Sequence, residues 1–379
     1  MIGVQIHPVD TWFFRDGTPF EDTPWLTVES LFPPHPPTMV GALRAAVARE
    51  NGWNGQGSWS PEIREVLGDG PDDLGRISFD GPFLLRDGQR LYRAPRHLLG
   101  VIEDGLWHPK ALLGPGGPVQ CDLGEVRLPQ LSRPNDENEQ LVPGRDQWLT
   151  VSGMNRVLAD ELPDAREVVP SRHLWKSEQR IGLQRDVKTR TAREGMLFSS
   201  RHARPAPGVS LGARITGLPP IWTPPSWGSS KGQVTPIGGE SRLGAVRGWD
   251  PVSDVESSYR SNRTRDRFAV VALTPLDVDS AVYLGGARLA ELAGARVVSA
   301  CMDRPLRIGG WDSRNNFGPL PIRSVLAPGS VLFCEIDSLQ PPEVMVSTIG
   351  EGPVRIGART RLGFGLVALG VWPGHEENT

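Results

Sequence analysis

Short apolar runs separated by glycine and proline recur along the chain and restrict the folds open to it. Val4 and Ile6 alternate with polar residues near the start, which is the pattern of a half-buried strand. Later apolar runs at 268–274, 295–301, 331–336 and 366–371 predict further strands. Helical patterns do not alternate regularly with these runs, as they would in a nucleotide-binding Rossmann sheet. The sequence therefore predicts an α+β fold with antiparallel sheets.

Helices and a hairpin complete the predicted elements. The prolines at 33, 34, 36 and 37 predict that the first helix begins only at Thr38, a good N-cap, and its apolar stripe ends before Asn51-Gly52. Residues 148–160 and 285–292 predict two more helices, and Asp87-Gly88 predicts a tight hairpin turn. Segments at about 110–145 and 203–262 are rich in Gly, Pro, Ser and Asn, which predicts long loops or insertions.

Bulk composition excludes several classes of protein. The 379 residues suffice for two domains, and the net charge of −3 excludes a uniformly basic surface. Four of the 41 basic residues are lysines and 37 are arginines, a preference that suits phosphate and base contacts but that genomic base composition explains equally well. The three cysteines are far apart and suggest neither a disulfide framework nor a zinc site. With no apolar segment of membrane-spanning length, a soluble cytoplasmic protein is expected.

The strongest positive patch lies between residues 172 and 204. This segment contains nine basic residues and three acidic ones. Gly182 and Gly195 interrupt a stretch that is poor in apolar residues. This composition predicts a protruding hairpin or loop that could follow an RNA backbone, although a solvated surface loop has the same composition. A second basic cluster at 260–267 resembles a flexible linker.

A glycine-rich basic segment, RIGARTRLGFG at 355–365, precedes the last apolar run. Its arginines have no acidic neighbour in the sequence between Glu351 and Glu376, and its glycines allow backbone N–H groups to approach an anion. Phosphate binding is one interpretation, and an ordinary glycine-rich hairpin is the other. The segment lacks the Lys-Ser/Thr ending of a P-loop, so nucleotide hydrolysis is not implied.

Catalytic and metal-binding patterns are weak. The seven histidines show no metal-ligand spacing, and no nucleophile motif or paired carboxylate motif stands out. His35, in a proline-rich turn before a predicted helix, is the best candidate for a general base. We expect no catalytic residue, no metal and no cofactor.

Seven short motifs, taken in order, resemble the RAMP superfamily, and specifically the guide-RNA 5′-handle-binding subunits of type III-B CRISPR (Cmr) effector complexes. They are WFFRDGTPF (12–20), SLFPPHPPTMVGALR (30–44), RIGLQR with REGMLF (180–185, 193–198), IGGESR (237–242), IGGWD (308–312), PIRSVLAPGSVLF (321–333) and RLGFG (361–365). Each motif alone is weak, but their common order is specific.

The resemblance implies two ferredoxin-like, RRM-related domains, expected here at 1–205 with the basic insertion and at 206–379 with the glycine-rich loop. It implies a non-catalytic subunit that binds the repeat-derived 5′ handle of the CRISPR RNA beside a large polymerase-like subunit and backbone RAMP subunits. The expected RNA-binding residues are Arg15, Thr38, Arg44, Arg180, Arg185, Lys188, Arg190, Arg193, Arg242, Arg355, Arg359, Arg361, Gly363 and Gly365.

Three of these residues form a more specific prediction. Thr38, Arg44 and Arg361 are expected to line a phosphate site where the helix start and the glycine-rich loop meet. The chain lacks the aromatic RNA-binding string of RRM sheets, so recognition would depend on loops and arginines. The alternatives are a RAMP-type endoribonuclease that uses His35 or another histidine as its base, and a protein-only assembly factor.

Overall fold

The computed structural model describes residues 1–15, 27–121, 124–132, 139–186, 188–250, 254–256, 267–279, 286–312, 318–336 and 352–372. The chain forms two compact units. Unit 1 comprises residues 1–88, 172–250 and 307–323, and unit 2 comprises 89–171, 251–306 and 324–379. The units interleave along the chain, and the domain boundary between residues 205 and 206 that the resemblance implies stays a prediction.

The α-helices are α1 (Pro36–Glu50), α2 (Pro61–Leu67) and α3 (Val151–Leu158). The first strands are β1 (Ile2–Pro8), β2 (Thr27–Glu29), β3 (Ser78–Arg86), β4 (Gln89–Arg93), β5 (Leu98–Glu103), β6 (Leu106–Cys121), β7 (Gly124–Leu131), β8 (Val142–Pro143), β9 (Gln147–Leu149), β10 (Val168–Pro170), β11 (Trp175–Arg185) and β12 (Ala192–Pro205). The later strands are β13 (Val209–Thr216), β14 (Gln233–Pro236), β15 (Leu243–Gly248), β16 (Arg267–Ala272), β17 (Arg288–Leu289), β18 (Ala295–Cys301), β19 (Leu306–Ile308), β20 (Trp311–Asp312), β21 (Gly318–Pro319), β22 (Arg323–Val325), β23 (Val331–Glu335), β24 (Val354–Arg355) and β25 (Leu366–Gly370).

Unit 1 contains five antiparallel strands in the order β3-β13-β1-β15-β14. Ile6 stands opposite Leu211 on one side and Val246 on the other, and all three side chains are buried on the same face. The predicted alternation of β1 is therefore confirmed. β13 and β15, which lie in the segment predicted to be loop, are inner strands of this sheet. The loop prediction relied on the glycine and proline content of the segment. It overlooked the alternating apolar pattern of β13, formed by Val209, Leu211, Ala213 and Ile215.

Helix α1 begins earlier than predicted. Pro36 and Pro37 occupy its first turn, and His35 is the N-cap, with an extended backbone and no side-chain hydrogen bond to the helix. Proline is tolerated there because the first N–H groups of a helix have no intrahelical acceptor. Thr38 lies inside the first turn, where its N–H donates to the His35 carbonyl at 3.1 Å. The predicted apolar stripe of α1 is buried, from Met39 to Val47.

The Asp87-Gly88 turn is confirmed. Asp87 has φ of 51° and Gly88 has φ of 77°, so both residues adopt the left-handed conformation that a two-residue hairpin turn requires. The turn follows β3 and leads into β4, and its geometry explains why a glycine and a small polar residue occupy it.

The long basic segment of unit 1 forms an antiparallel ribbon of β11 and β12, which pair from Trp175 opposite Pro205 to Arg185 opposite Ala192. β2 adds a short parallel pairing along residues 199–201 of β12. The predicted hairpin is thus present, with strands of 11 and 14 residues.

Unit 2 contains a six-stranded antiparallel sheet in the order β17-β18-β23-β16-β25-β24. Both of its faces are buried. Phe268 and Val270 of β16 join one apolar cluster, whereas Ala269 and Val271 join another that includes Met154 and Val157 of α3. Continuous apolar strands fit a sheet that is covered on both sides. Four of the predicted strands are confirmed here, as β16, β18, β23 and β25.

Further strands of unit 2 pair antiparallel. β4, β9 and β10 are neighbours in the order β10-β9-β4, and β5 to β8 form a four-stranded sheet in the order β7-β6-β5-β8. The segment at 110–145 was predicted to be a loop, yet most of it belongs to the β6–β7 hairpin. Its Pro-Gly-Gly-Pro run at 115–118 is an irregularity in the register between these strands. Proline and glycine mark a bulge here rather than a loop.

The shorter helix predictions have mixed outcomes. The helix predicted at 148–160 is α3, whose N-cap Thr150 accepts a hydrogen bond from the Gly153 N–H at 3.2 Å. The helix predicted at 285–292 is wrong for residues 288–292, which form β17 and one 3₁₀ turn. The α+β class is confirmed as a sheet-rich fold, and the two ferredoxin-like domains stay a prediction. None of the described helices has the length and apolar character needed to cross a membrane.

We predict that Arg44→Ala destabilises unit 1. The Arg44 side chain is 5% exposed, donates to the carbonyls of Gly68, Gly70 and Asp73 at 2.8–3.0 Å, and lies over the Trp59 ring. Its loss leaves the buried Gly68 carbonyl unsatisfied and removes the bonds to the Gly70 and Asp73 carbonyls, which should lower the free energy of unfolding by about 2–3 kcal/mol. Urea unfolding measures this. Arg49→Ala on the same helix is the control and should cost about 1 kcal/mol or less; an equal loss in both variants would contradict the prediction.

We also predict that His97 makes unit 2 sensitive to acid. His97 is 2% exposed and packs edge-on against Phe333, and burial lowers its pKa from 6.5 to about 4. The unfolded chain then binds the proton more readily, so stability is complete above pH 6.5 and falls as the pH drops from 6.5 to 4. The slope should be about 1.4 kcal/mol per pH unit. Urea unfolding of the parent and of His97→Leu across this range should show a shallower pH dependence in the variant, and identical slopes would refute the assignment.

Candidate nucleic-acid interface

The β11–β12 ribbon is fastened to unit 1 by buried aromatic residues of the first motif. Trp12 exchanges backbone hydrogen bonds with Ala203 of β12, each at 2.8 Å. The Trp12 ring packs near Phe14 and Phe32, and Phe32 meets Trp175 of β11 edge-on. Since Trp12, Phe13 and Phe14 are at most 3% exposed, these aromatics form core and do not offer a stacking platform for bases. Their position explains why the motif accompanies the basic ribbon.

Three arginines converge on one carboxylate at the base of the ribbon. Arg180 Nη2 lies 2.6 Å from Asp10 Oδ2, Arg204 Nη2 lies 3.1 Å from Oδ1, and Arg242 Nη1 lies 3.4 Å from Oδ2. Glu178 also accepts from Arg180 and Arg204. We call these five residues the Asp10 cluster. The hydrogen bond from Arg180 lowers the pKa of Asp10, and the hydrogen bond from Arg204 lowers the pKa of Glu178, so both carboxylates stay ionised.

His202 lies near this cluster and is buried. Its Nδ1 is 3.2 Å from Thr11 Oγ1, its Nε2 is 3.0 Å from Ser200 Oγ, and its ring stacks on Phe13. Burial, followed by the charges of Arg242 and Arg180, lowers the pKa of His202. A neutral imidazole with both nitrogens engaged is a packing element of the ribbon base.

Beyond the cluster, the ribbon carries exposed apolar and basic side chains. Ile181 is 70% exposed and Leu183 is 50% exposed. At the end of the ribbon, the Asp186 carboxylate accepts the N–H groups of Lys188 and Thr189, both at 2.9 Å. This arrangement shapes the turn and leaves the Lys188 side chain exposed; the Arg190 side chain is exposed as well. The exposed tip fits a surface that meets a partner.

The glycine-rich loop of unit 2 is more self-contained than the sequence suggested. The Gly357 N–H donates to the Glu291 carboxylate at 2.8 Å, and the Gly365 N–H donates to the Pro275 carbonyl at 2.8 Å. Arg359 Nε lies 2.7 Å from Asp277 Oδ2, and its guanidinium covers the ring of Phe364. Arg359 has no acidic neighbour in the local sequence, but its partner Asp277 comes from a distant part of the chain.

The other predicted residues are scattered. Gly363 donates its N–H to the Thr360 carbonyl, and Arg355 and Arg361 have exposed side chains. Arg15 is exposed at the edge of a segment, 16–26, that lies outside the described residues. Arg185 and Arg193 belong to β11 and β12 through their backbone positions.

Thr38 and Arg44 lie in unit 1 and Arg361 lies in unit 2, so their predicted meeting at a shared phosphate stays a prediction. Arg44 is a structural residue, as its three carbonyl partners show. The basic cluster at 260–267 lies outside the described residues except for Arg267, which begins β16. No three His, Cys, Asp or Glu side chains of the described segments come together as a metal site.

Sequence reasoning missed Asp10 and Glu178 as members of the main charged cluster. Glu178 could have been found, because Glu178 and Arg180 are two residues apart and share one face of a strand. Asp10 gave no such signal, because 170 positions separate it from Arg180. Counting charges along the ribbon therefore overstated its positive charge, and Glu29 likewise pairs with Arg201 at 2.8 Å.

Comparison with known proteins assigns the family. The model of the CRISPR-associated protein family Cas_Cmr3 matches residues 4–372, nearly the whole chain. The chain belongs to this family. The resemblance to a type III-B CRISPR (Cmr) subunit is thereby confirmed. No curated protein gave a significant match.

Solved structures that resemble this Cas_Cmr3 protein include two chains of type III-B Cmr-beta determined by cryo-EM. One comes from the complex bound to cognate target RNA and AMPPnP, with a TM-score of 0.47, 17% identity, and coverage of 87% of this chain and 86% of that chain. The other comes from the complex bound to cognate target RNA, with a TM-score of 0.47, 18% identity and the same coverage. A chain of the Csm3-Csm4 subcomplex of a type III-A CRISPR-Cas interference complex gives a TM-score of 0.38 and 9% identity, with 89% and 93% coverage.

We predict that Gly365→Ala disrupts the glycine-rich loop. Gly365 has φ of 71°, and an added Cβ would lie 2.0 Å from the Ile356 carbonyl oxygen. The strain of an alanine in the left-handed backbone conformation and this clash should together lower the free energy of unfolding by about 1–3 kcal/mol. Gly352→Ala is the matched control, because its Cβ would meet open space. Urea unfolding of both variants makes the comparison, and equal stability would show that the loop can rearrange.

Proposed function

We propose that this Cas_Cmr3 protein is a non-catalytic RNA-binding subunit of a type III-B CRISPR effector complex. It binds the repeat-derived 5′ handle of the CRISPR RNA and contacts the large polymerase-like subunit and the backbone RAMP subunits. The family match over residues 4–372 carries the assignment to CRISPR defence. The exposed basic end of the β11–β12 ribbon supports RNA as the ligand.

The chemistry of the ribbon suits a backbone contact. Lys188 and Arg190 are exposed at its end, and the aromatic anchor at its base holds the strands in place. Exposed cations on an extended ribbon attract phosphates and release counterions, without reading bases directly. Ile181 and Leu183 add exposed apolar surface along β11, which favours a ligand or partner with unstacked bases or apolar groups.

The surroundings of three histidines favour binding over cleavage. His202 is buried with both ring nitrogens engaged, His97 is buried with its pKa lowered to about 4, and His35 is the N-cap of α1. A general base must reach the proton that it removes, and the burial of His97 and His202 works against that role.

One assay separates the candidate functions. The full chain, purified without metal, is incubated with labelled repeat RNA and run on native and denaturing gels. Retention of intact RNA supports the proposal, and metal-independent cleavage that His35→Ala abolishes would support the endoribonuclease. Absence of any binding would leave only a protein-assembly role. Co-purification of the tagged chain with its neighbours then tests the partner assignment.

We predict that reversing the charge at the ribbon tip weakens RNA binding. Lys188→Glu with Arg190→Glu replaces two exposed cations, and affinity for repeat RNA at moderate salt should fall by about tenfold or more. Filter binding at several salt concentrations measures the affinity and the salt slope.

Arg166→Glu with Lys231→Glu is the control for the ribbon-tip variant. It makes the same change of net charge at exposed positions that do not belong to β11 or β12, and it should weaken binding much less. If both double variants lost the same affinity for RNA, the prediction of a localised contact at the ribbon tip would be contradicted. The effect would then come from the net charge of the protein.

A further inference from the structure

The Asp10 cluster has the geometry of an occupied anion site. The two carboxylate oxygens of Asp10 pair with three guanidinium groups. Arg180 belongs to β11, Arg204 to β12, and Arg242 to the turn between β14 and β15. A phosphodiester also presents two anionic oxygens on one atom, and arginine forks bind both groups in the same way. The structure thus shows a carboxylate in a setting that suits a phosphate.

We propose that Arg180, Arg204 and Arg242 form a subsite for an RNA phosphodiester, and that Asp10 occupies this subsite when RNA is absent. Asp10 then acts as a built-in competitor that RNA must displace. This inference rests on the proposed function, because it names a particular phosphate subsite for the proposed RNA ligand.

Glu178 keeps the arginines in place when Asp10 leaves. Its carboxylate accepts from the Nε atoms of Arg180 and Arg204, and Arg180 Nη2 lies 3.0 Å from Glu178 Oε1 as well as 2.6 Å from Asp10 Oδ2. Arg204 Nη2 is directed at Asp10. Glu178 would therefore keep both guanidinium groups beside the vacated position. Arg242 has its own anchor, because its Nε donates to the Glu240 carbonyl at 2.9 Å.

The charge balance also favours a second anion. With three arginines and two carboxylates, the cluster has a formal charge of +1, and displacement of Asp10 raises the local charge to +2. The Coulomb attraction for a phosphate therefore grows as Asp10 moves away. An additional phosphate contact also releases counterions from the RNA.

Asp10 can leave at low cost. Its side chain is 43% exposed, and it lies in a bend after β1 beside the exposed Val9. Ion pairs between partly exposed side chains are weak in water, so RNA can compete with them. The buried neighbours Thr11 and Trp12 hold the following backbone, which confines the movement to the bend.

The test is Asp10→Asn in the full chain, with single-stranded repeat RNA as the probe. Removing the competitor should tighten binding by about three- to tenfold at low salt and steepen the log–log salt slope by about 0.7 if one phosphate contact is added. Glu29→Gln is the matched control. It makes the same charge change on the sheet of the ribbon, but Glu29 pairs with Arg201, outside the cluster.

A second variant identifies the subsite. Arg242→Ala in the Asp10→Asn background should remove most of the gain, because Arg242 then directly faces the incoming phosphate. Near-ultraviolet circular dichroism checks that the ribbon base keeps its aromatic packing, and Asp10→Ser replaces Asp10→Asn if that variant does not fold.

The outcomes are distinguishable. Asp10→Asn binding more tightly than Glu29→Gln, with the gain lost on Arg242→Ala, supports the subsite. Equal tightening in Asp10→Asn and Glu29→Gln, or weaker binding by Asp10→Asn, overturns it and makes Asp10 a structural brace. Failure of the parent chain to bind RNA would instead overturn the proposed function.

Discussion

The backbone pairing of Trp12 with Ala203 is the constraint on which the functional surface depends. This pair joins the start of the first motif to β12, and the buried aromatic rings around Trp12 exclude water from the junction. Because two hydrogen bonds and buried rings hold the backbone there, the arginines of β11 and β12 project from a fixed support. Without it, a two-stranded ribbon of this length would be marginally stable in water. The aromatic motif and the basic ribbon are therefore one functional element, although they are far apart in sequence.

The fold was predictable where local pattern decides it. The apolar runs at β16, β18, β23 and β25 form strands whose residues are buried on both faces of the sheet, which is the burial that a short continuous apolar run predicts. The Asp87-Gly88 turn was equally predictable, because few residue pairs adopt two left-handed conformations. Prediction failed where glycine and proline were counted without regard to the side chains between them. β13 is an inner strand of its sheet despite its glycine-rich surroundings. Pro36 and Pro37 form the first turn of α1, although the sequence predicts that the helix begins after them.

The sequence pointed to basic segments but not to the acidic side chains that pair with them. Arg180, Arg242 and Arg359 lie in segments that the sequence marked as basic or rich in glycine, but their acidic partners Asp10 and Asp277 come from distant parts of the chain. Asp10 and Asp277 had no local signal that linked them to these arginines. Counting the charges within one segment predicts the electrostatic field around it only if no other segment contributes opposite charges. In an arginine-rich chain with a net charge of −3, such long-range pairing is the natural outcome.

The two ends of the ribbon consequently suit different tasks. The tip carries Lys188 and Arg190 in solvent, where their charge acts over about one Debye length, roughly 8–10 Å at ordinary salt, and can draw RNA toward the surface. The base carries more arginines, but carboxylates balance most of their charge, so its field is weak at a distance and its hydrogen bonds are directional. Under the proposed function, a guide RNA is first captured and then held in one register, and capture needs long-range attraction whereas register needs geometry. In the proposed subsite, attraction grows only when a phosphate replaces Asp10, so the cluster would respond to correct placement rather than to charge alone.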